Sequence, residues 1–125
     1  GYSSFSSLNI EIDITDAGKK AAAQAVKDAI AKCTASTALK PPSCPMGVDE
    51  PGAQENSAKW GAPDLSKLEV DNFSSYSMDC SFSIGSVEFP VEIRMNDGGA
   101  KRGSVTSYVS GDVDMTQNPP GVSFR

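Results

Sequence analysis

The most regular pattern in the chain lies between residues 76 and 95, where apolar and polar positions alternate on both sides of Gly85-Ser86. Alternation with a period of two is typical of strands that have one apolar face and one solvent-exposed, polar face. Glycine at the first central position suits a type II′ turn, so the pattern predicts a β-hairpin in which Ile84 pairs with Val87. In this register, apolar residues face one another at Tyr76, Met78, Cys80, Phe82 and Ile84 in the first run and Val87, Phe89, Val91, Ile93 and Met95 in the second.

Pro90 lies within the second run and has no N–H to donate. In the predicted register its missing donor points away from the hairpin partner. Proline in a strand is confined to sheet edges, strand starts and bulges. The pattern therefore predicts a sheet edge or a bulge at Pro90.

The segments around this hairpin predict a helix and further strands. Thr15-Asp16 is suited to cap a helix, and the small apolar residues that follow recur at helical spacing over residues 17–33. Alternation also predicts a strand over residues 8–14. Weaker patterns predict a strand within residues 65–73, a turn at Asn96-Asp97-Gly98-Gly99 and a last strand over residues 105–115.

These elements predict an α+β fold in which one long helix packs across a mainly antiparallel sheet of four or five strands. The order of a helix followed by antiparallel strands is similar to cystatin-like and nuclear-transport-factor-like folds, an analogy of shape alone. A chain of 125 residues suits a single domain. Three segments are predicted to lie outside the regular elements: a frayed lead-in at residues 1–7, a long surface loop at residues 46–64 and a tail at residues 118–125.

Composition excludes several classes of function. The net charge is −5 and the chain has no basic stripe, so we expect no nucleic-acid binding, which depends on neutralising phosphates. The chain contains no histidine, which removes Ser-His-Asp and Cys-His nucleophiles and most transition-metal sites. We therefore predict no enzymatic activity and no cofactor.

The three cysteines carry the argument about the cellular compartment. Cys33 and Cys44 lie at the end of the predicted helix and in the proline-rich segment after it. A disulfide between them would clamp that segment to the helix, whereas two free thiols are the alternative. A structural disulfide implies an oxidising compartment. Cys80 is in phase with the apolar face of its strand, so we predict a buried, unreactive thiol.

The run Thr15-Asp16-Ala17 into an alanine-rich helix, followed by Cys33-Thr34-Ala35-Ser36-Thr37 and Pro41-Pro42-Ser43-Cys44-Pro45, resembles a family of exported domains. These domains belong to membrane proteins of high-GC Gram-positive bacteria and have no assigned activity. The resemblance covers about residues 8–46. It implies a location outside the cytoplasmic membrane, a tether formed by an N-terminal helix that this sequence does not contain, and pairing of the two cysteines.

Two pairs of residues are candidates for binding. Asp112 and Asp114 point to the same wet face of the last predicted strand and could hold a metal ion, although exposed carboxylates are ordinary on an acidic surface. Trp60 and Tyr108 are candidates for a surface that binds sugar or peptide. The alternative is a loop anchored by Trp60 and a single exposed ring at Tyr108.

We therefore expect a non-catalytic, extracytoplasmic binding or interaction domain of a membrane-anchored protein. Its partner would be a protein, a peptide or a cell-envelope component, and membrane contact would come only through a segment outside this sequence. The first alternative is a small enzyme or ligand carrier of the nuclear-transport-factor-like type, with a pocket between helix and sheet. The second alternative is a structural spacer.

Overall fold

The computed structural model describes residues 15–74 and 76–125, so the predicted lead-in at residues 1–7 and the predicted strand at residues 8–14 lie outside the described residues. Within these ranges the protein has one helix and a curled antiparallel sheet, which confirms the α+β class. The elements in chain order are α1 Asp16–Ala35, β1 Lys59–Trp60, β2 Glu69–Ser74, β3 Asp79–Arg94, β4 Ala100–Asp114 and β5 Gly121–Phe124.

The helix α1 begins as its capping residues predict. The Thr15 hydroxyl accepts a hydrogen bond from the Gly18 backbone N–H at 3.0 Å, and Asp16 places a negative charge in the first turn. Its small residues allow the helix to lie close to the sheet. The buried side of the helix consists of Ala22, Ala25, Val26, Ile30 and Cys33.

The predicted hairpin at residues 76–95 is wrong, because its two runs do not pair with each other. Both belong to β3, which continues through Gly85-Ser86 and pairs with β4 along its whole length. Ser83 lies opposite Ser110 and Gly85 lies opposite Val109, so Ile84 is an extra residue in β3. This is a β-bulge, and it moves the buried positions from even numbers before it to odd numbers after it.

A hairpin turn and a bulge leave the same trace in the sequence. Either one inverts the parity of the apolar positions, and either one can take a glycine in the left-handed region, where Gly85 has a φ of 90°. Here the continuous strand prevails because β4 offers both runs a partner of matching length. Cys80 lies opposite Val113, and Phe89 lies opposite Val105.

The hairpin that the protein does form joins β3 to β4 through Asn96-Asp97-Gly98-Gly99, where the sequence predicts a turn. The Asp97 carboxylate accepts a hydrogen bond from the Gly99 N–H at 2.8 Å, and Gly98 has a φ of 90°. The predicted last strand is also confirmed, in a longer form. Its inward residues Val109 and Val113 are fully buried.

The sheet has the order β1-β3-β4-β5, and β2 pairs with β3 on the same side as β1. β2 lies beside residues 79–83 of β3 and β1 lies beside residues 91–92. The Pro90 carbonyl accepts a hydrogen bond from the Gly61 N–H at 2.7 Å, just beyond the last residue of β1. Pro90, which has no N–H to donate, therefore stands at the point where the hydrogen-bonded ladder between β3 and β1 ends.

The predicted tail at residues 118–125 is wrong in its second half, because residues 121–124 form β5 and pair with β4. Phe124 packs edge-to-face on Phe82, with ring centroids 5.7 Å apart. Gly111 makes this approach possible, since a Cβ there would collide with the Ser123 carbonyl oxygen and the Phe82 ring. The few apolar residues of β5 gave too short a pattern for a strand prediction.

The predicted surface loop at residues 46–64 is also corrected, because it contributes to the core. It has no helix, but Met46, Val48, Ala58 and Trp60 are buried and residues 59–60 form β1. These residues stand singly between polar ones, so no periodicity marks them. The core lies between α1, this segment and the inner face of β3 and β4.

Candidate functional site

The disulfide between Cys33 and Cys44 is present, with the two Cα atoms 5.8 Å apart. It ties the last turn of α1 to the segment that leads back to the sheet. A hydrogen bond from the Val48 N–H to the Leu39 carbonyl at 2.8 Å holds the same segment further along. Cys80 is free and buried, and this burial raises the pKa of its thiol.

The two carboxylates proposed for a metal ion have protein partners instead. Asp112 binds the Arg125 guanidinium through two contacts of 2.7 and 3.2 Å, and this contact raises the pKa of Arg125. Asp114 accepts hydrogen bonds from the hydroxyl and the N–H of Thr116, which lower the pKa of Asp114. Residues 15–74 and 76–125 contain no group of three acidic, cysteine or histidine side chains placed to hold a metal.

The structure does not bring Trp60 and Tyr108 together. Trp60 is 9% exposed, its indole N–H donates to the Ala38 carbonyl at 3.1 Å, and its ring packs edge-to-face on Phe89. The prediction that Trp60 lies on the surface is therefore wrong. Trp60 instead anchors its segment to the body of the protein. Tyr108 is 68% exposed on the outer face of β4, next to the buried Val109, which points to the inner face.

A cleft of about 420 Å³ lies where residues 47–50 cross the inner face of β3 and β4. Its apolar lining comes from Val48, Val91, Ile93 and the partly buried Val105. Charged residues of both signs border the cleft, namely Asp49, Glu50, Lys101 and Arg102. A depression with apolar side chains at its floor and charged residues at its border can accept a ligand or peptide.

Gly103 leaves the cleft open. It lies on the inward parity of β4, directly opposite Val91 in the ladder. A Cβ placed on Gly103 would meet no heavy atom within 4 Å, and its φ is not in the left-handed region. A side chain at this position would therefore project into the cleft without backbone strain.

The two basic residues at the rim are held by carboxylates of the same chain. Lys101 forms an ion pair and hydrogen bond with Glu50 of the crossing segment. Arg102 binds Glu92 across the β3–β4 ladder at 2.7 and 3.0 Å, and this contact lowers the pKa of Glu92. The Lys101–Glu50 pair joins the crossing segment to β4, whereas the Arg102–Glu92 pair lies on the outer face of the sheet. Exposed ion pairs contribute little to stability.

Among the described residues, the outer edge of β4 next to this cleft has partners only toward its C-terminal end. β5 pairs with residues 111–114, and the Arg125 N–H bonds to the Ser110 carbonyl at 2.9 Å. From Ala100 to Val109, no strand of the described residues pairs with that edge.

The direction of the free backbone groups follows from their neighbours. Ser110 points its carbonyl outward to Arg125, whereas Gly99 and Met115 bond toward β3 and its flanking turn. Because backbone groups alternate in direction along a strand, the even-numbered residues of β4 present N–H and C=O outward. In the stretch that no described strand pairs with, these are Ala100, Arg102, Ser104, Thr106 and Tyr108.

Comparison with protein-family models, with curated proteins and with solved structures gives no match to this chain.

No helix in the described ranges is long and apolar enough to cross a membrane.

Sequence reasoning located neither the cleft nor the stretch of the β4 edge that lacks a partner among the described residues. The cleft joins residues 47–50 to strands that follow more than forty positions later, so no local pattern marks it. Gly103 was the only available signal, because a glycine in a strand interior often marks a close approach or an opening. Backbone donors and acceptors beside an apolar depression can bind an extended polypeptide segment.

Proposed function

We propose that this domain is a non-catalytic, extracytoplasmic binding module of a membrane-anchored bacterial protein, and that it binds an extended polypeptide segment. The observation that carries the proposal is the cleft at Gly103 beside residues 100–109 of β4, whose outer edge has no partner strand among the described residues. Main-chain hydrogen bonds along an edge supply affinity, and a depression for alternate side chains supplies selectivity. A cleft of about 420 Å³ falls in the size range of small ligand pockets.

The compartment in this proposal is supported by the Cys33–Cys44 disulfide. Such bonds persist outside the cytoplasm and are rare in reducing compartments. The tether to the membrane rests on the resemblance of residues 8–46 to exported bacterial domains.

A binding role is favoured over catalysis by the character of the core. The chain has no histidine, and the described residues include no buried polar or charged side chain that could act as an acid or base in a water-excluded site. As part of the same proposal, we keep the analogy to cystatin-like and nuclear-transport-factor-like folds, which concerns the shape of the domain and not its activity. A carrier pocket between helix and sheet is less supported, because Val26, Ile30 and Phe89 fill that space.

The proposal is tested with a phage-displayed library of random octapeptides selected on the purified domain. We expect enriched peptides with apolar residues at alternate positions. These peptides should bind Gly103→Leu at least tenfold more weakly, because the leucine side chain fills the cleft. Lys20→Leu adds the same side chain on the exposed face of α1 and should bind them as the wild type does.

Two results would contradict the proposal. One is the absence of any enriched peptide. The other is equal binding of the enriched peptides to the wild type and to Gly103→Leu, provided that Gly103→Leu and Lys20→Leu both keep the wild-type circular dichroism spectrum.

A further inference from the structure

We infer that the outer face of the sheet carries a second site, which binds a neutral oligosaccharide beside Tyr108. The site is a depression of about 340 Å³ lined by residues of β2, β3 and β4 and by Arg125. Tyr108 lies on the outer face of the sheet, whereas the cleft at Gly103 lies on the inner face. The second site is therefore independent of the peptide site in the proposed function.

Short serine side chains occupy the middle of this depression. Ser83 of β3 lies opposite Glu69 of β2 on one side and opposite Ser110 of β4 on the other. Ser81 lies on the same face two positions before Ser83, and it lies opposite Asp71 of β2. Small residues between longer ones leave room for a ligand across the three strands.

Tyr108 borders the depression on the β4 side. It precedes Ser110 by two residues, so the two side chains lie on the same face of the sheet. Tyr108 is 68% exposed, which leaves its ring accessible. The face of an aromatic ring is negative, whereas the C–H groups of a pyranose carry small positive charges. The ring therefore offers a surface that is electrostatically complementary to the flat side of a sugar.

The polar groups around the ring include both acceptors and donors of hydrogen bonds. Glu69 and Asp71 are exposed carboxylates, which accept, and the Arg125 guanidinium donates. Asp112 binds two nitrogens of Arg125, at 2.7 and 3.2 Å, and so orients its guanidinium. Sugar hydroxyl groups donate and accept, and their hydrogen bonds to charged partners are stronger than those between neutral groups.

The charges of the site favour a neutral ligand over a charged one. Among the described residues that line the depression, Glu69 and Asp71 are anionic, and the charge of Arg125 is offset by its ion pair with Asp112. A phosphate-bearing ligand would therefore be repelled. An ammonium group could not accept a hydrogen bond from Arg125. A neutral ligand that donates to the carboxylates and accepts from the guanidinium uses all three.

The binding of one oligosaccharide to one domain is expected to be weak. A single exposed ring and a few side chains make the contact, so we expect a dissociation constant on the order of 1 mM. Several copies held on one surface would bind a polymeric glycan more tightly through avidity.

A nuclear magnetic resonance titration of the ¹⁵N-labelled 125-residue protein tests the location of the site. The probes are maltohexaose, mannohexaose and the hexamer of N-acetylglucosamine, which are neutral and differ in linkage and stereochemistry. We expect at least one of them to shift the amide signals of Ser83, Tyr108 and Ser110. The amide signals of Gly103 and Val105 at the cleft should stay unchanged.

Variants of Tyr108 test the role of the ring. Tyr108→Ala should weaken binding at least tenfold, because it removes the ring face. Tyr108→Phe keeps that face and should bind within about threefold of the wild type. Tyr76→Ala is the matched control, since Tyr76 is exposed but lies outside the depression, and it should bind as the wild type does. Circular dichroism shows that each variant keeps its fold.

Three results would overturn the inference. One is the absence of any shift with all three probes at about 20 mM, well above the expected dissociation constant. Another is binding that Tyr108→Ala leaves unchanged. The third is stronger binding of hexalysine than of every oligosaccharide at the same signals, which would make this a site for a basic peptide.

Gly103→Leu separates this inference from the proposed function. It should lose the selected octapeptides and keep the oligosaccharide, whereas Tyr108→Ala should lose the oligosaccharide and keep the octapeptides. Failure of one site therefore leaves the result for the other intact.

Discussion

Gly85 allows β3 to continue through the point where its buried face changes parity. Its φ of 90° is strained for any residue with a Cβ, and the position is otherwise open. Gly85→Ala is therefore expected to lower the free energy of unfolding by about 1–3 kcal/mol, through the backbone alone. Urea denaturation measures this change.

Gly103→Ala is the matched control for Gly85→Ala. Gly103 also has open space around it but has no positive φ, so its replacement should change the free energy of unfolding by less than about 0.5 kcal/mol. Equal losses in the two variants would show that the conformation of Gly85 does not carry the cost.

Cys80 should behave as a packed apolar side chain. It is 2% exposed. Burial is the main cause that raises the pKa of its thiol, and the negative charges of Asp79 and Asp112 raise it further. At pH 7 we expect a maleimide to label it at least a hundredfold more slowly in the native protein than in urea. Because the folded pKa is raised, stability should fall as the pH rises above the unfolded value of about 8.5.

The unfolded protein in urea is the control for the labelling experiment, since it contains the same thiol without its surroundings. Rapid labelling of Cys80 under native conditions, with the Cys33–Cys44 disulfide intact, would contradict its burial.

At the scale of elements, the sequence predicts the helix well and the sheet in part. Thr15 and the alanine-rich stripe define α1 locally, so its first residue follows from neighbouring positions. The parity change at Gly85 identifies the apolar face on both sides but does not distinguish a turn from a bulge. Only the long-range pairing with β4 decides between them. The inward position of Cys80 was predicted correctly because both alternatives place it on the same face.

β1 and β5 show a second reason why the sequence does not predict every strand of the sheet. Each has too few residues for a periodic pattern, and each is a strand because a longer neighbour offers it backbone partners. Trp60 and Phe124 are then held by rings on β3, which no local pattern reveals. The cleft at Gly103 depends on the same long-range arrangement, so it could not be predicted.

The Cys33–Cys44 disulfide should stabilise the segment after α1. The chain-entropy model gives a contribution on the order of 3 kcal/mol for a loop of this length. Dithiothreitol should therefore lower the urea midpoint of the wild-type protein. Trp60 is the only tryptophan, and its indole donates a hydrogen bond to Ala38 in the segment after α1. Its fluorescence emission therefore reports the unfolding of this segment.

The double variant Cys33→Ser/Cys44→Ser is the control for that measurement. Its midpoint should match that of the reduced wild type and should not respond to dithiothreitol. A response of the double variant would show that the reagent acts elsewhere.

For the whole molecule, we expect stability to decline in acid. Hydrogen bonds from Ser66, Arg102 and Thr116 lower the pKa values of Asp64, Glu92 and Asp114 respectively. Carboxyls with lowered folded pKa values stabilise the protein above their unfolded values of about 4, and this contribution is lost as the pH falls further. The melting temperature should stay level from pH 7 to about pH 5 and fall below about pH 4.

Glu92→Gln tests the part of this decline that comes from one ion pair. The variant cannot titrate at this position, so its melting temperature should depend less steeply on pH below about 4 than that of the wild type. Identical acid profiles would show that Glu92 and Arg102 contribute nothing measurable.

The central position of β3 has a consequence for biosynthesis. β3 pairs with β1, β2 and β4, and β4 follows it in the chain. While the polypeptide emerges from a ribosome or an export channel, β3 therefore lacks its longest neighbour until the turn at residues 96–99 and β4 have also emerged. Unpaired strand edges of this kind favour aggregation. The nascent chain is thus expected to depend on a chaperone until β4 is free to pair, and only then to complete its sheet.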